Sequence, residues 1–209
     1  MAERHTKDEY IDAAMEIVLN QGFTALTAKS LGDHMGVDPS AMYRQFQNKD
    51  ALLVAIFDRL ANDFESGLPQ ATSPRGRIER QVFVVRNFFL KFPELAAILS
   101  QADTPPRATL AAAEQIVNSL KELGYQGQEL VTAYQSIEGL VVGTSVFETS
   151  GSPHHWDIRN NRYRMMGYDA FREVATGPDS VAAIANDSFK LAFLSLLDAI
   201  EFNAPINLA

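Results

Sequence analysis

The sequence predicts an all-α protein of two domains, and three observations support this fold class. Apolar residues recur at spacings of three and four along most of the chain, the pattern of helices buried on one face. No alternating strand pattern bounded by turn residues and no Asn-Gly hairpin signal is present. The segment 67–74 is rich in Pro, Gly, Ser and Thr, and it indicates a boundary between a small N-terminal part and a larger C-terminal part.

Capping signals divide the N-terminal part into four helices. Thr6, with Glu9 three residues later, predicts a capping box for the first helix. The residues expected on its buried face are Ile11, Ala14, Met15, Val18 and Leu19. Side chains suited to the helix starts and a glycine suited to a helix end mark the later boundaries, namely Thr27, Gly36, Asp38 with Pro39, and Asn48. The second helix is expected to turn Leu31, His34 and Met35 inward, and the fourth to run over 49–66.

The rest of the chain carries helical spacing in several further segments. They lie near 75–91, 93–102, 106–123, 127–149 and 179–202, with a short helix near 159–174. We therefore expect an N-terminal domain of residues 1–50, joined by the helix 49–66 to a C-terminal helical domain within 51–209.

Charge and composition limit the possible function classes. The chain has a net charge of −8 and no cysteine, which excludes disulfides, thiolate zinc sites and a cysteine nucleophile. Residues 1–50 hold five Lys or Arg against eight Asp or Glu, a net of −3. The N-terminus has no apolar run of the kind that secretory signals need, so we expect a cytoplasmic protein. No uncharged apolar stretch of ~18 residues exists, and no membrane span is expected.

Two short helices joined by a glycine turn predict a helix-turn-helix over residues 27–49. Gly36 suits the turn because a residue with a Cβ tolerates positive φ poorly. In this motif the second helix enters the DNA major groove and presents its N-terminal residues to base edges. Many helical proteins contain a glycine between two short helices, so the spacing alone is a weak signal.

The string from Thr27 to Leu53 resembles the TetR family of regulators. The matching residues include Gly36-Val37 in the turn, Met42-Tyr43 followed by Phe46, and Lys49 before Leu52-Leu53. Gly32 departs from the family, which more often has Ala there, and it is expected to loosen the second helix by ~1 kcal/mol. The resemblance covers roughly residues 7–57. It implies a double-stranded DNA operator, a small-molecule effector and a homodimer as partners.

The predicted DNA contacts divide by chemistry. Thr27 and Lys49 stand at helix starts, where phosphate binds well, and Tyr43 can offer its hydroxyl to a phosphate as in the family. Ser40, Ala41 and Arg44 are expected to meet base edges, Arg44 at guanine, and Lys29 to reach a base or phosphate. Tyr43 as a core residue and Arg44 as a phosphate contact alone remain open alternatives. Arg4, His5 and Lys7 are expected to form an arm beside the DNA.

The C-terminal domain is expected to dimerise and to bind an apolar or aromatic effector. The dimer interface is assigned to apolar residues of two helices, Ile137, Val141, Phe189, Phe193 and Leu197, with an intramolecular core as the alternative. The effector pocket is assigned to an aromatic-rich set with one carboxylate, namely Phe88, Phe89, Phe92, Tyr134, Glu138, Phe147 and Met165. Packing alone would also account for these aromatics.

The sequence therefore predicts a ligand-responsive regulator, more often a repressor in this family, with no catalytic residues, cofactor or metal. His154-His155 could suggest a metal, but adjacent His residues on a helix cannot both face one ion and no carboxylate cluster accompanies them. The alternative functions are an all-helical dimeric enzyme and a small-molecule-binding protein without DNA binding. The first has little support, since none of the sequence motifs of nucleophilic, phosphate-binding or metal-dependent catalysis is present.

Overall fold

The computed structural model describes residues 5–65, 70–95, 105–149 and 155–204. Within these ranges the chain forms helices joined by turns, and no strand occurs. The predicted all-α class is therefore confirmed. The chain divides into two compact units, unit 1 of Met1–Leu68 with Ala97–Ala111 and unit 2 of Pro69–Ala96 with Ala112–Ala209.

Unit 1 contains three α-helices and two 3-10 helices among its described residues before Leu68. They are α1 (Lys7–Gln21), a 3-10 turn (Phe23–Ala25), α2 (Ala28–Met35), a 3-10 helix (Pro39–Arg44) and α3 (Lys49–Glu65). The predicted caps are present. Thr6 and Glu9 form a reciprocal capping box at α1, and the Asn48 carboxamide accepts the Ala51 N–H at 2.8 Å at α3. These caps satisfy amide groups that have no partner inside the helix.

The core of unit 1 is built from the inner faces of its helices. It contains Ile17, Val18, Leu26, Leu31, Met42, Phe46, Leu52, Ile56 and Leu60. The buried face of α1 is rotated from its predicted position, because Tyr10 and Ile17 are buried whereas Leu19 is 58% exposed. The expectation that His34 faces inward is also wrong, since its ring is exposed on α2 and bonds to Glu16 at 3.0 Å.

The first domain extends beyond the predicted boundary at residue 50. Helix α3 belongs to unit 1 because Leu52, Ile56 and Leu60 are buried in its core. The guanidinium of Arg59 on α3 also pairs with Asp8 at 3.3 Å and Asp12 at 3.2 Å on α1. The helix that was expected to link the domains is thus a structural part of the first one.

Unit 2 holds the larger set of helices. They are α4 (Pro74–Lys91), the part of α5 (Arg107–Glu122) from Ala112 onward, α6 (Gly127–Thr149), α7 (His155–Met165), α8 (Asp169–Val174) and α9 (Pro178–Phe202). Most of the predicted helix near 93–102 lies outside the described residues. The short helix expected near 159–174 is two helices, because Gly167 at φ 80° breaks it between α7 and α8.

Apolar faces of α4, α5, α6 and α9 meet in one core. Its buried members are Ile78, Val82, Ile116, Leu120, Tyr125, Ala133, Ile137, Val141, Phe189, Phe193, Leu197 and Ile200. The Tyr125 hydroxyl donates to the Ile200 carbonyl at 2.7 Å, so the one polar tip in this set has a partner. The core therefore joins α9 to α4, α5 and α6.

Helix α9 is long and apolar enough to cross a bilayer, although the sequence contains no uncharged run of that length. An 18-residue window in it has a mean hydropathy of 1.3, and 22% of that window is buried. Core helices of water-soluble proteins pass the same test, so this is weak evidence for a membrane span. Because so little of it is buried, the described residues leave much of this apolar helix uncovered.

Candidate functional site

The turn between α2 and the Pro39–Arg44 helix depends on two glycines. Gly36 ends α2 with φ 68°, the left-handed conformation that glycine adopts without strain. Gly32 lets α2 approach the next segment, because a Cβ there would lie 2.9 Å from the Val37 carbonyl oxygen and 3.0 Å from the Pro39 Cα. The Val37 N–H donates to the Gly32 carbonyl at 2.9 Å across the same contact. Gly32 is thus required for packing, which corrects its interpretation as a residue that only loosens the helix.

The Pro39–Arg44 helix is short and is held at both ends. Its N-terminus is capped by Asp38, whose carboxylate accepts the Ser40 N–H at 2.8 Å and the Ser40 hydroxyl at 2.5 Å. These hydrogen bonds, with a smaller contribution from the charge of Arg44, lower the pKa of Asp38. Met42 is buried in the core and fixes the inner face. The element is a single 3-10 segment rather than the α-helix that Pro39 and Asp38 predict, with a short-range bond from the Gln45 N–H to the Met42 carbonyl.

The outer side of unit 1 carries the residues predicted to contact DNA. All are exposed except Ala41, which is half-buried; the exposed ones are Thr27, Lys29, Ser40, Tyr43, Arg44 and Lys49. The Tyr43 side chain is 54% exposed, so the alternative of a core tyrosine does not hold. The Thr27 hydroxyl caps α2 by accepting the Ser30 N–H at 3.0 Å. Phosphate contacts at Thr27 would therefore be made beside an already ordered helix start.

Several acidic groups of unit 1 are paired with basic ones, whereas three cations at the helix-turn-helix are not. Asp8 and Asp12 pair with Arg59, and Glu16 pairs with His34. In the described part of the chain, by contrast, no carboxylate lies within ion-pair distance of Lys29, Arg44 or Lys49. The net charge of −3 over residues 1–50 therefore leaves these three cations available for an anionic partner.

The segment before α1 lies against the end of the Pro39–Arg44 helix. The Gln45 carboxamide donates to the His5 carbonyl at 3.0 Å. The Lys7 ammonium sits 5.1 Å from the centre of the Phe46 ring. His5 and Lys7 thus lie beside the element that carries Arg44, while Arg4 lies outside the described residues.

Contacts among the described residues connect those assigned to an effector pocket in three separate groups. Phe88, Phe89 and Phe92 are buried against one another, with ring centres of Phe88 and Phe92 5.2 Å apart. Tyr134 donates to Glu138 at 2.9 Å on the outer part of α6, and burial of its ring together with Glu138 raises the pKa of Tyr134 to about 12. Phe147 and Met165 are brought together, at a groove in unit 2.

This groove, which we call the α7 groove, has a volume of about 510 Å³. Four apolar and four polar side chains line it, namely Phe147, Ile158, Met165 and Met166 with His155, Arg159, Asn161 and Arg162. The Arg159 guanidinium lies 4.4 Å from the centre of the Phe147 ring. Burial and the charge of Arg159 lower the pKa of His155, against a smaller opposing effect of Glu148. Arg159, Arg162 and His155 were not predicted from the sequence, although three arginines on one short helix could have indicated them.

A buried ion pair lies next to Phe189 in unit 2. The Arg86 guanidinium donates from Nη2 to Glu148 at 2.7 Å, and both side chains are buried. Its face stacks 4.0 Å from the centre of the Phe189 ring. Among the described residues, Nε and Nη1 of Arg86 have no hydrogen-bond acceptor. Arg86 interrupts the mostly apolar segment 82–89, and this charge among apolar residues could have indicated a buried ion pair from the sequence.

The residues predicted for the dimer interface are in the wrong place for that role. Ile137, Val141, Phe189, Phe193 and Leu197 all lie in the core of unit 2, and Phe193 is 0% exposed. Side chains buried within one chain cannot contact a second one. The intramolecular alternative is the correct one for these five residues. The dimer itself stays a prediction.

No group of three or more His, Asp or Glu residues in the described ranges could hold a metal ion. Of the two adjacent histidines, His155 lines the α7 groove and His154 lies outside the described residues. No metal chemistry is assigned to either.

Comparisons with known proteins agree with the helix-turn-helix assignment. Residues 11–56 match the bacterial regulatory proteins of the tetR family. The chain is 29% identical over 144 residues to the tetracycline repressor protein class A of Escherichia coli. The aligned segment covers 68% of this chain and 66% of that repressor, which is just under two thirds of the repressor's length. It is 26% identical to the class G tetracycline repressor of Vibrio anguillarum, over 93% of this chain and 96% of that protein.

The whole chain shares its fold with solved structures. One of them is the TetR family protein ActR of Streptomyces coelicolor in complex with actinorhodin, with a TM-score of 0.72 at 18% identity. That similarity covers 99% of each chain. The arrangement of a helix-turn-helix unit followed by a larger helical unit is therefore common to both proteins. Residues 11–56 of this chain therefore match the tetR family of bacterial regulatory proteins, and the chain is similar to tetracycline repressors beyond that segment.

Proposed function

We propose that the chain is a ligand-responsive transcriptional regulator that binds a palindromic DNA operator as a homodimer. A small effector with apolar or aromatic character would release it, so that it acts as a repressor in the cytoplasm and not as an enzyme. The observation that carries the proposal is the set of exposed cations without carboxylate partners at the helix-turn-helix, Lys29, Arg44 and Lys49. The family match and the names of the repressors that the chain resembles support it.

The roles of the DNA-contacting residues follow from their positions. Arg44 is exposed whereas Met42 is buried, and the Arg44 guanidinium can form two hydrogen bonds with a guanine edge. Tyr43 and Lys49 can bind phosphates on either side, as can the start of α2 at Thr27. The Ser40 hydroxyl already donates to Asp38, so it would serve as an acceptor from a base. One chain makes only a few contacts with DNA, and a homodimer would double their number.

We place the homodimer interface on the exposed faces of α6 and α9. Apolar side chains remain uncovered there; Val142 is 41%, Leu191 72% and Phe202 89% exposed. Gly139 and Gly143 on α6 have open space around them, which would allow a second helix to approach closely. These residues lie opposite the buried set of the same helices. A symmetric pair would present two helix-turn-helix units to half-sites ~34–36 Å apart.

The switch would be a population shift between two arrangements of the dimer. One arrangement would match the spacing of the two DNA half-sites and the other would not. An effector that binds more tightly to the mismatched arrangement lowers the DNA affinity. The size of that decrease is limited by the ratio of the effector's affinities for the two arrangements. The α7 groove, where Phe147 and Met165 meet, is the described cavity that we assign to the effector.

The test is a gel-shift experiment with the full chain and palindromic DNA from the region upstream of its gene. We expect a complex whose affinity falls steeply as the salt concentration rises. The lysine and arginine side chains release condensed counterions from the DNA phosphates when they bind, and added salt opposes this release. Lys49→Ala should weaken binding to all duplexes alike and reduce the salt slope by about 1. No binding to any such duplex at low salt would contradict the proposal. An effect of Lys49→Ala confined to one sequence would contradict the phosphate role.

A further inference from the structure

The α7 groove combines a cationic side with an apolar side. Arg159 and Arg162 line it with His155, whereas Phe147, Ile158 and Met165 form the apolar wall. None of the lining residues is acidic. Helix α7 itself carries three arginines against one aspartate, a net of +2 in a chain of net −8. This local reversal of sign would favour an anion.

The cations of the groove have hydrogen-bonding capacity to spare. No carboxylate in the described ranges lies within ion-pair distance of Arg159 or Arg162. His155 Nε2 is buried without a hydrogen-bond partner among the described residues. Glu148, whose charge reaches His155, is already engaged by Arg86. Planar guanidinium groups bind carboxylates through paired hydrogen bonds, and a ligand carboxylate would satisfy these donors.

The apolar wall of the groove indicates the chemistry of the uncharged part of the ligand. Phe147, Ile158 and Met165 are each more than half exposed, and a hydrocarbon body lying on them would remove this area from water. The Arg159 guanidinium stacked on Phe147 continues the flat surface. A volume of about 510 Å³ lies within the ~300–1,000 Å³ range of small-molecule sites.

From these observations we infer that the α7 groove binds a small amphipathic anion, an aromatic or aliphatic carboxylate or phenolate. Its charged group contacts Arg159 and Arg162, and its hydrocarbon body lies on Phe147, Ile158 and Met165. The inference rests on the proposed function, because it names the chemical class of the effector. It narrows the expected apolar or aromatic effector to one that also has an acidic head.

The test uses two probes of similar hydrocarbon size, one charged and one neutral. They are 8-anilinonaphthalene-1-sulfonate, an aromatic anion, and N-phenyl-1-naphthylamine, which lacks the sulfonate. Titration calorimetry gives the affinity of each for the full chain. Energy transfer from Trp156, the only tryptophan, reports whether the probe lies near α7, since the Arg159 guanidinium is 5.7 Å from the Trp156 ring. We expect the anion to bind about tenfold or more tightly than the neutral probe.

The variants locate the charge recognition. Arg159→Gln with Arg162→Gln should weaken binding of the anion about tenfold or more and binding of the neutral probe much less, because only the anion has a charge for the two arginines to bind. Arg164→Gln is the control for the charge of α7, because it removes one positive charge from the same helix at a position that does not line the groove. Equal affinity for both probes, or an unchanged anion affinity in the double variant, would overturn the inference. Circular dichroism confirms that each variant is folded.

A gel shift of the same proteins separates this inference from the proposed function. If the chain binds palindromic DNA but shows no preference for the anion, the proposed regulatory function stands and the inferred class of ligand is contradicted. If the chain binds the anion through Arg159 and Arg162 but binds no DNA, the ligand site stands and the proposed regulatory function is contradicted.

Discussion

Gly32→Ala tests the packing of the helix-turn-helix. Two effects of the substitution oppose each other. Ala is favoured over Gly inside a helix by ~1 kcal/mol, which by itself would stabilise α2. The new Cβ would, however, lie 2.9 Å from the Val37 carbonyl oxygen, 3.0 Å from Pro39 Cα and 3.1 Å from Pro39 N. All three are backbone atoms, so no side-chain rotation can relieve the contact.

The magnitude follows from the distances. An ordinary contact begins at 3.4 Å, so the oxygen must move by 3.4 − 2.9 = 0.5 Å. Forcing a methyl group into a packed interior costs about 1–3 kcal/mol, which equals or exceeds the gain in helix propensity. We therefore expect a net loss of up to ~2 kcal/mol in the free energy of unfolding. The displaced segment carries Ser40 and Arg44, and a shift of ~0.5 Å is enough to weaken a contact surface.

Urea denaturation and DNA affinity measure the two consequences. Asp33→Ala is the control, since it raises helix propensity at the exposed neighbouring position without adding an atom to the contact. Asp33→Ala should be neutral or slightly stabilising, and Gly32→Ala should lower both stability and DNA affinity. If Gly32→Ala raised stability as much as its propensity predicts and kept full DNA affinity, the close approach at Gly32 would have no structural role.

Three further predictions concern unit 2. Arg86→Met should lower the free energy of unfolding by ~3–5 kcal/mol in urea denaturation, because it leaves the buried Glu148 without its partner. Arg86→Met with Glu148→Leu should recover most of that loss, and equal damage in both variants would show that the pair is not coupled. Phe193→Glu should unfold unit 2 rather than yield monomers, since its ring is fully buried. Val142→Glu should yield folded monomers in size-exclusion chromatography with unchanged circular dichroism, and a folded dimer would place the interface elsewhere.

Local signals predicted the helix-turn-helix well because they act within a few residues. The capping box at Thr6, the helix cap at Thr27, the left-handed Gly36 and the Asp38 cap are all confirmed. Each depends on hydrogen bonds between neighbours in sequence. The sequence could not show that Gly32 lies against Pro39, because that contact depends on how two elements meet in space.

The residues of unit 2 were harder to predict for a related reason. Helical spacing identifies an apolar face, but it does not say whether a neighbour in the same chain or in a second chain covers it. Phe193 and Val142 both lie on apolar helices, yet the first is buried in the core and the second is exposed. The α7 groove was missed in the same way, since Phe147 and Arg159 come together only through the packing of α6 and α7.

DNA affinity of the wild-type chain and Arg44→Ala, measured by fluorescence anisotropy on the operator and on a scrambled duplex, tests the central claim most directly. If Arg44 reads a base, the variant should lose ~1–3 kcal/mol of binding free energy on the operator. Its affinity for the scrambled duplex should change much less, because nonspecific binding depends on phosphates. Unchanged affinity for the operator, or an equal loss on both duplexes, would contradict the assignment of Arg44 as the base-reading residue.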